Sequence, residues 1–257
     1  MKTKSHVQVD TGIIVPCYNE SERIQFTEFD QFLSSNNSIC FCFVNDGSTD
    51  GTQQILEKFT NKNSERCQVI NLPTNQGKAE AVRQGITTLL QSSQFQFVGY
   101  WDADLATPLA AISEFIELIQ GNKELVAVFG SRILRLGASI HRSVFRHYFG
   151  RVFATIASFI LDLPVYDTQC GAKLFRTDHA KLIFKEPFFS RWFFDVELFA
   201  RSIVLLGREK TLRSIYEVPL SEWHDRGGSK VTWCNMFNTP LELFRIYKHY
   251  RICLANS

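Results

Sequence analysis

No apolar run in the 257 residues approaches the 20 or so needed to span a bilayer. The most apolar window, Val152 to Leu161, is half that length. The N-terminus, MKTKSHVQVDTG, has no apolar core of signal-peptide type. Neither secretion nor a transmembrane helix is therefore expected. The 7 Cys include no Cys-x-x-Cys pair and no Cys/His metal spacing. Their odd number argues against a disulfide framework. Reduced, buried or half-buried thiols in a cytoplasmic protein are expected, with Cys40 and Cys42 on one face of a strand. The formal net charge is only +2, so no global basic field argues for nucleic acid. Methionine is scarce, at 2 residues. The first apolar run is followed by ProCysTyrAsnGlu and not by a Gly-x-Gly-x-x-Gly turn, which disfavours a dinucleotide oxidoreductase. No repeat, low-complexity tract or linker is visible, so residues 1–257 read as a single domain.

What is present is an ordinary globular composition, 45% hydrophobic and 21% charged, with a surplus of 23 Phe. Disorder, collagen-like repeats and coiled coil are excluded as the main architecture. Short apolar runs occupy Gly12–Cys17, Ile39–Val44, Gln68–Leu72, Phe95–Trp101 and Leu125–Phe129. They are rich in β-branched and aromatic residues, as buried strands are. Helical periodicity lies between them. Ser21 is placed to cap a helix carrying Ile24, Phe29, Phe32 and Leu33, and Asp50 to cap Thr52–Phe59. Lys78–Leu90 repeats apolar residues at helical spacing, and Pro108 suits the first turn of a helix through Ile119. Further on, the pattern predicts a long segment near Arg142–Leu161 and strands near Ala172–Phe175 and Leu212–Val218. Helices are predicted at Phe194–Leu206 and Thr232–His249. Strand–helix alternation implies right-handed βαβ units, hence an α/β fold with a mostly parallel sheet flanked by helices.

Ligands of such sheets bind beyond the carboxyl ends of the strands. The polar residues there read ProCysTyrAsnGlu (16–20), AsnAspGlySerThrAsp (45–50), ProThrAsnGlnGlyLys (73–78) and AspAlaAsp (102–104). Asp102 and Asp104 point the same way if the strand alternation continues. Two like charges held together call for a cation, and Mg²⁺ or Mn²⁺ takes hard oxygen ligands while leaving positions for substrate phosphates. A surface loop is the alternative for an isolated Asp-x-Asp. Asp46 suits either a nucleoside contact or a turn cap, and Lys78 either a ligand contact or a solvated charge.

Taken together, IIVPCYNE, VNDGSTDGT, NQGKAEAVRQGI and YWDADLATP, in this order, resemble the nucleotide-sugar-binding half of family 2 glycosyltransferases, which have the GT-A fold. GSRI (130–133), VYDTQCGAKLFR (165–176), RWFFDVELFAR (191–201) and EVPLSEW...GGSKV (217–231) extend the resemblance to the subgroup acting on polyprenyl phosphates. The dolichyl-phosphate β-glucosyltransferases and dolichol-phosphate mannose synthases belong there. The resemblance implies a nucleotide-sugar-binding half over about 10–130 and an acceptor half over about 131–257. It implies that Pro16, Tyr18, Glu20 and Asp46 line the base and ribose pocket and that Lys78 lies near the nucleotide. Asp102 and Asp104 would hold the metal on the diphosphate, and Arg132 would face phosphate. Two departures stand out. Asn45 replaces the first Asp common in the AspAspGlySer block. Ala106, followed by Thr107, replaces a Gln usual in the mannose synthases, which favours the glucosyltransferase pattern and leaves a metal ligand to water or another side chain.

The implied reaction is metal-dependent inverting transfer of a hexose, glucose from UDP-glucose in the first instance, to a polyprenyl phosphate. Asp195 and Asp167 are candidate bases, with Arg191 beside them in the catalytic set. A phosphate monoester is largely dianionic at pH 7 and can attack without a base, in which case these acids would fix Arg191 or sugar hydroxyls. The alternative for Asp195 and Glu197 is a helix N-terminal position complementing the dipole. From Ser131 through Leu161 there is no Asp or Glu, while Arg132, Arg135, Arg142, Arg146 and Arg151 fall there. Phe145, Phe149, Phe153, Ile156 and Ile160 recur at helical spacing beside them. Such a stripe near 142–161 suits peripheral contact with the cytoplasmic face of a membrane, or an amphipathic helix packed on the sheet. The rival functions are transfer to a saccharide or glycolipid hydroxyl, with Asp195 as an essential base, and a catalytically silent nucleotide-binding scaffold.

Overall fold

The computed structural model describes residues 9–92, 94–141, 144–225 and 242–250, and only the backbone over 144–149. Residues Arg142, the side chain of Arg146, the GGSK segment and most of the helix expected over Thr232–His249 fall outside the described residues.

The five apolar runs of the first half form β1 (Thr11–Cys17), β2 (Ile39–Asp46), β3 (Cys67–Leu72), β4 (Phe97–Trp101) and β5 (Ala127–Ser131). Apart from β3 at the sheet edge, they are buried almost throughout. That is why they read as near-continuous apolar runs: a parallel sheet is covered on both faces. Between them lie α1 (Phe26–Ser35), α2 (Thr52–Lys62), α3 (Lys78–Leu90) and α4 (Ala111–Gly121). α3 has the expected bounds. Ser21 does not cap α1, which starts later and leaves Ile24 outside it. Its N–H and hydroxyl donate instead to Asp50 at 3.2 and 2.7 Å, tying the loop after β1 to the loop after β2. Asp50 also accepts the Thr52 N–H at 2.9 Å at the start of α2. Pro108 precedes α4 by a single turn, its carbonyl accepting the Ala111 N–H at 3.1 Å.

The second half contributes β6 (Ser139–His141), α5 (Val144–Leu161), β7 (Ala172–Arg176), α6 (Thr177–Ile183), α7 (Phe194–Leu206), α8 (Arg208–Ser214), β8 (Ile215–Pro219) and β9 (Glu222–His224). Residues 242–250 are helical. The strand expected over Leu212–Val218 begins only at Ile215, because Leu212 lies in the last turn of α8 and is 53% exposed, so its apolar side chain was not a core signal.

Among the described residues the main sheet has the order β3-β2-β1-β4-β7-β5-β8. Neighbours are parallel except at β7, which runs antiparallel to both β4 and β5. β6 and β9 form a separate parallel pair. Two apolar layers cover the sheet. One packs α1, α2 and α4 through Phe29, Phe41, Phe43, Phe59, Phe97 and Phe115. The other packs α3, α5, α6 and α7 through Phe129, Phe153, Phe175, Phe184, Phe194 and Phe199. Each such buried ring contributes about 1.5–3 kcal/mol. The Phe surplus is therefore mostly core. Phe153 belongs to that core, 6% exposed and 5.0 Å from Phe193, and does not face outward.

As expected, Cys17, Cys42, Cys67 and Cys170 are buried and Cys40 is half-buried. Cys40 and Cys42 share the face toward α3. Burial pushes both thiols up to about 12.

Candidate active site

Because β1, β2, β4 and β5 run the same way, their carboxyl ends meet along one edge, and the reversed β7 starts there. The loops carrying Pro16–Glu20, Asn45–Asp50, Gln76–Lys78, Asp102–Thr107, Arg132 and Asp167–Gly171 are gathered at this edge by the strand registers.

Asp102 follows β4, and its N–H donates to the Gly171 carbonyl at 2.9 Å. A Cβ on Gly171 would sit 1.9 Å from Asp102 Oδ2, so the carboxylate rests directly on a bare α-carbon. Lys78, first residue of α3, reaches Asp102 Oδ1 at 2.6 Å. Burial alone would pull the Lys78 amine down, but Asp102 and Asp195 outweigh it and hold it above its ordinary value. Asp104 accepts the Ala106 N–H at 3.0 Å and lies 3.9 Å from Arg23. Burial, and then the Asp102 charge beside it, raise the Asp104 carboxyl above 3.8. Two adjacent carboxylates, one of them seated on the bare Gly171 α-carbon, suit a hard divalent cation completed by phosphate and water oxygens. Among the described residues no group of three or more His, Cys, Asp or Glu is assembled for a metal, so phosphate and water would have to supply the remaining positions. Ala106 adds no ligand; its carbonyl accepts the His224 N–H at 2.9 Å, bringing β9 alongside.

Asp46 is buried and accepts the Gln76 N–H at 2.7 Å and the Gly77 N–H at 2.8 Å. It thereby fixes the loop entering α3. Gly77 needs its glycine: φ is 97°, and a Cβ would lie 2.7 Å from Arg191 Nε. Arg191 closes over this loop, donating to the carbonyls of Gln76 and Asn75 at 3.0 Å each and to Asn75 Oδ1 at 2.7 Å. Pro16 and Tyr18 are half-buried at the same edge. Glu20 is buried, its N–H donating to Thr52 Oγ1 at 2.8 Å, and Arg23 lies 3.6 Å from its carboxylate. Arg23, which spans Glu20 and Asp104, carried no sequence signal.

Arg132 and Asp167 form a bidentate pair at 2.6 and 2.7 Å, reinforced by the Arg132 N–H at 3.0 Å. Burial would lower the guanidinium, but Asp167 holds it well above its ordinary value. Trp223 lies against it, 5.4 Å from the ring centre. Glu217 accepts the N–H groups of Tyr166 and Asp167, both at 2.8 Å, and shapes the loop from below.

Asp195 is buried in the first turn of α7. Its Oδ1 accepts from Lys173 Nζ at 2.5 Å and from the Tyr100 hydroxyl. Glu197 is buried in a second network with Arg201 at 2.8 Å and Tyr250 at 3.0 Å. Both acids therefore have partners beyond the helix dipole. Asp195 fixes Lys173 and Asp167 fixes Arg132, while Arg191 holds the Asn75–Gln76 loop. Lys173, fully buried, was missed at the sequence level although a Lys inside the run AlaLysLeuPhe was a usable signal.

The glycosyl transferase family 2 model matches residues 12–184, which includes Asp46, Lys78, Asp102, Asp104, Arg132 and Asp167. The chain belongs to glycosyl transferase family 2. This glycosyltransferase is 32% identical to dolichyl-phosphate beta-glucosyltransferase ALG5D of Trichomonas vaginalis, over 95% of this chain and 75% of that one. It is 31% identical to dolichyl-phosphate beta-glucosyltransferase of Saccharomyces cerevisiae, over 87% and 70%. With the Homo sapiens protein of that name the figures are 29%, 88% and 72%. In fold it is similar to glucosyl-3-phosphoglycerate synthase of Mycobacterium tuberculosis, whose complex with Mn²⁺, UDP-glucose and phosphoglyceric acid superposes with a TM-score of 0.66 at 16% identity. That alignment covers 93% of this chain and 80% of the synthase. The fold of this family 2 glycosyltransferase is thus of the GT-A type, as the resemblance implied.

α5, in the second half of the chain, packs against the core layer that holds α7. Its inner side packs Phe153, Ala157 and Leu161 into the core. Val152, Ile156 and Phe159 are exposed, Phe159 to 88%, and Leu134 and Leu136 are exposed in the loop after Arg132. Arg151 turns toward the site loop, stacked 3.7 Å over Tyr166 and donating to its carbonyl at 3.3 Å. No helix among the described residues is long and apolar enough to cross a membrane.

Proposed function

We propose that this glycosyltransferase moves glucose from UDP-glucose to a polyprenyl phosphate, with inversion, at a membrane surface. The observation that carries the acceptor assignment is the engagement of both candidate bases. Asp195 is paired with Lys173, and Asp167 with Arg132. An acceptor hydroxyl would need one of them to take its proton, whereas a phosphate dianion needs no base. The names of the relatives support the same acceptor and glucose as the sugar.

In this reading Pro16, Tyr18, Glu20 and the loop held by Asp46 receive the uridine, and Arg191 keeps that loop closed. Asp102 and Asp104 hold Mg²⁺ or Mn²⁺, which supplies neutralisation of charge on the departing diphosphate. Lys78 leaves Asp102 for a diphosphate oxygen and adds a charge-assisted hydrogen bond. Arg132, its fork fixed by Asp167, presents positive charge to phosphate at the transfer point. The exposed Val152, Ile156 and Phe159 of α5, with Leu134 and Leu136, meet the lipid that carries the acceptor.

Incubation with radiolabelled UDP-glucose, dolichyl phosphate and Mg²⁺ or Mn²⁺ yields label in the organic extract, and EDTA abolishes it. Full transfer in EDTA would contradict the role given to Asp102 and Asp104.

A further inference from the structure

Lys173 lies in β7, opposite Tyr100 of β4 in the antiparallel register. Its side chain is fully buried. An ammonium has three protons to donate, and here each finds an acceptor: the Asp195 carboxylate at 2.5 Å, the Cys170 carbonyl at 2.7 Å and the Thr168 carbonyl at 3.0 Å. The charge is further flanked by the rings of Tyr100 at 5.5 Å and Phe129 at 5.2 Å.

Two of those acceptors belong to the turn that leads into β7. One end of that turn is Asp167, which clasps Arg132. The other end is Gly171, whose carbonyl takes the Asp102 N–H and whose α-carbon carries the Asp102 carboxylate. The turn is thus wrapped around a single buried cation, with α7 supplying the counter-charge. A fold needing only a buried contact here would be served as well by an apolar side chain, since buried ion pairs seldom stabilise more than packed hydrophobic residues do. What an apolar residue cannot do is hold two carbonyls converging on one point.

We propose that Lys173 is a positioning residue for the reaction: through the carbonyls of Thr168 and Cys170 it sets Gly171 against Asp102, and so sets the carboxylate that holds the divalent cation. This rests on the reading of Asp102 as a metal ligand. Loss of such an outer contact typically costs 10–100-fold in metal affinity.

The test is Mn²⁺ binding in the presence of UDP, followed by the electron paramagnetic resonance of free Mn²⁺, with thermal unfolding in parallel. The double variant Lys173→Met/Asp195→Leu removes both charges together and leaves neither buried alone. It loses some stability through the Tyr100 hydroxyl and the two carbonyls left without these partners, but is expected to stay folded at low temperature while binding Mn²⁺ about tenfold or more weakly. Lys173→Arg keeps the charge beside Asp195 but not the convergence on the two carbonyls. It is expected to weaken Mn²⁺ in the same way, and it carries the test if the double variant does not fold. Wild-type Mn²⁺ affinity in either folded variant would overturn the inference alone. A wild-type chain that takes up no Mn²⁺ with UDP would remove the metal reading of Asp102, and the inference with it.

Discussion

Lys78 Nζ and Asp102 Oδ1 lie 2.6 Å apart, the first residue of α3 against the first residue after β4. The pair joins the loop that Asp46 holds to the carboxylate that Gly171 supports. Asp102 is 37% exposed in its side chain, so the pair adds little to stability, about 0–1 kcal/mol. Lys78→Met is therefore expected to leave the unfolding temperature nearly unchanged while lowering kcat/KM for UDP-glucose by about 10²–10³. Steady-state kinetics beside thermal unfolding checks this; a large stability loss with intact kinetics would contradict it.

Asp104 carries the opposite balance. Its carboxyl is raised above 3.8 by burial and by Asp102, so the folded state binds its proton more tightly than the unfolded chain does. Stability is then lost as pH rises from about 4 through the raised value, and the penalty is complete above it. In EDTA at neutral pH, Asp104→Asn is expected to unfold at a higher temperature than the wild type, with the gap closing toward pH 4. The same variant is expected to lose transfer. Equal unfolding temperatures at neutral pH would show that the two carboxylates do not oppose each other.

Asp195→Asn separates a base from a structural anion. It leaves Lys173 buried without its counter-charge, which costs about 3–5 kcal/mol. Loss of a general base costs about 10²–10⁴ in rate. The expectation is a marked fall in unfolding temperature and, per folded molecule at low temperature, a rate within about tenfold of wild type. A hundredfold loss in fully folded protein would return Asp195 to the role of base.

Much of this was legible in the sequence, for a physical reason. Parallel strands covered on both faces must be apolar throughout, so β1, β2, β4 and β5 appear as runs. The residues that end them fall at the site whichever way the rest folds. α3 and α7 were also readable, because each keeps helical spacing from its first residue. The reversal of β7 was not: Ala172–Arg176 has the same composition whether it runs up or down. That reversal is what brings Asp167 and Gly171 to the edge, so the Arg132–Asp167 and Asp102–Gly171 contacts could not be foreseen. β6 and β9, three residues each, exist through their pairing with one another. The stripe on α5 was read as one face, and the structure divides it: Phe153 goes inward, Ile160 packs half-buried against the core, and Ile156 faces outward.

That division makes the membrane contact testable without disturbing the core. Ile156→Ser and Phe159→Ser change exposed side chains only. Together they are expected to reduce co-sedimentation with phospholipid vesicles and to raise KM for a long-chain polyprenyl phosphate, leaving KM for UDP-glucose unchanged. Unaltered co-sedimentation would assign α5 to packing on the sheet alone.

The claim on which the account turns is that the acceptor is a phosphate that needs no base. Dolichyl phosphate and dolichol differ only in that group. With radiolabelled UDP-glucose and Mg²⁺ or Mn²⁺, label is expected in the organic extract with dolichyl phosphate and not with dolichol. Transfer to dolichol or to a saccharide hydroxyl, with dolichyl phosphate inert, would contradict it.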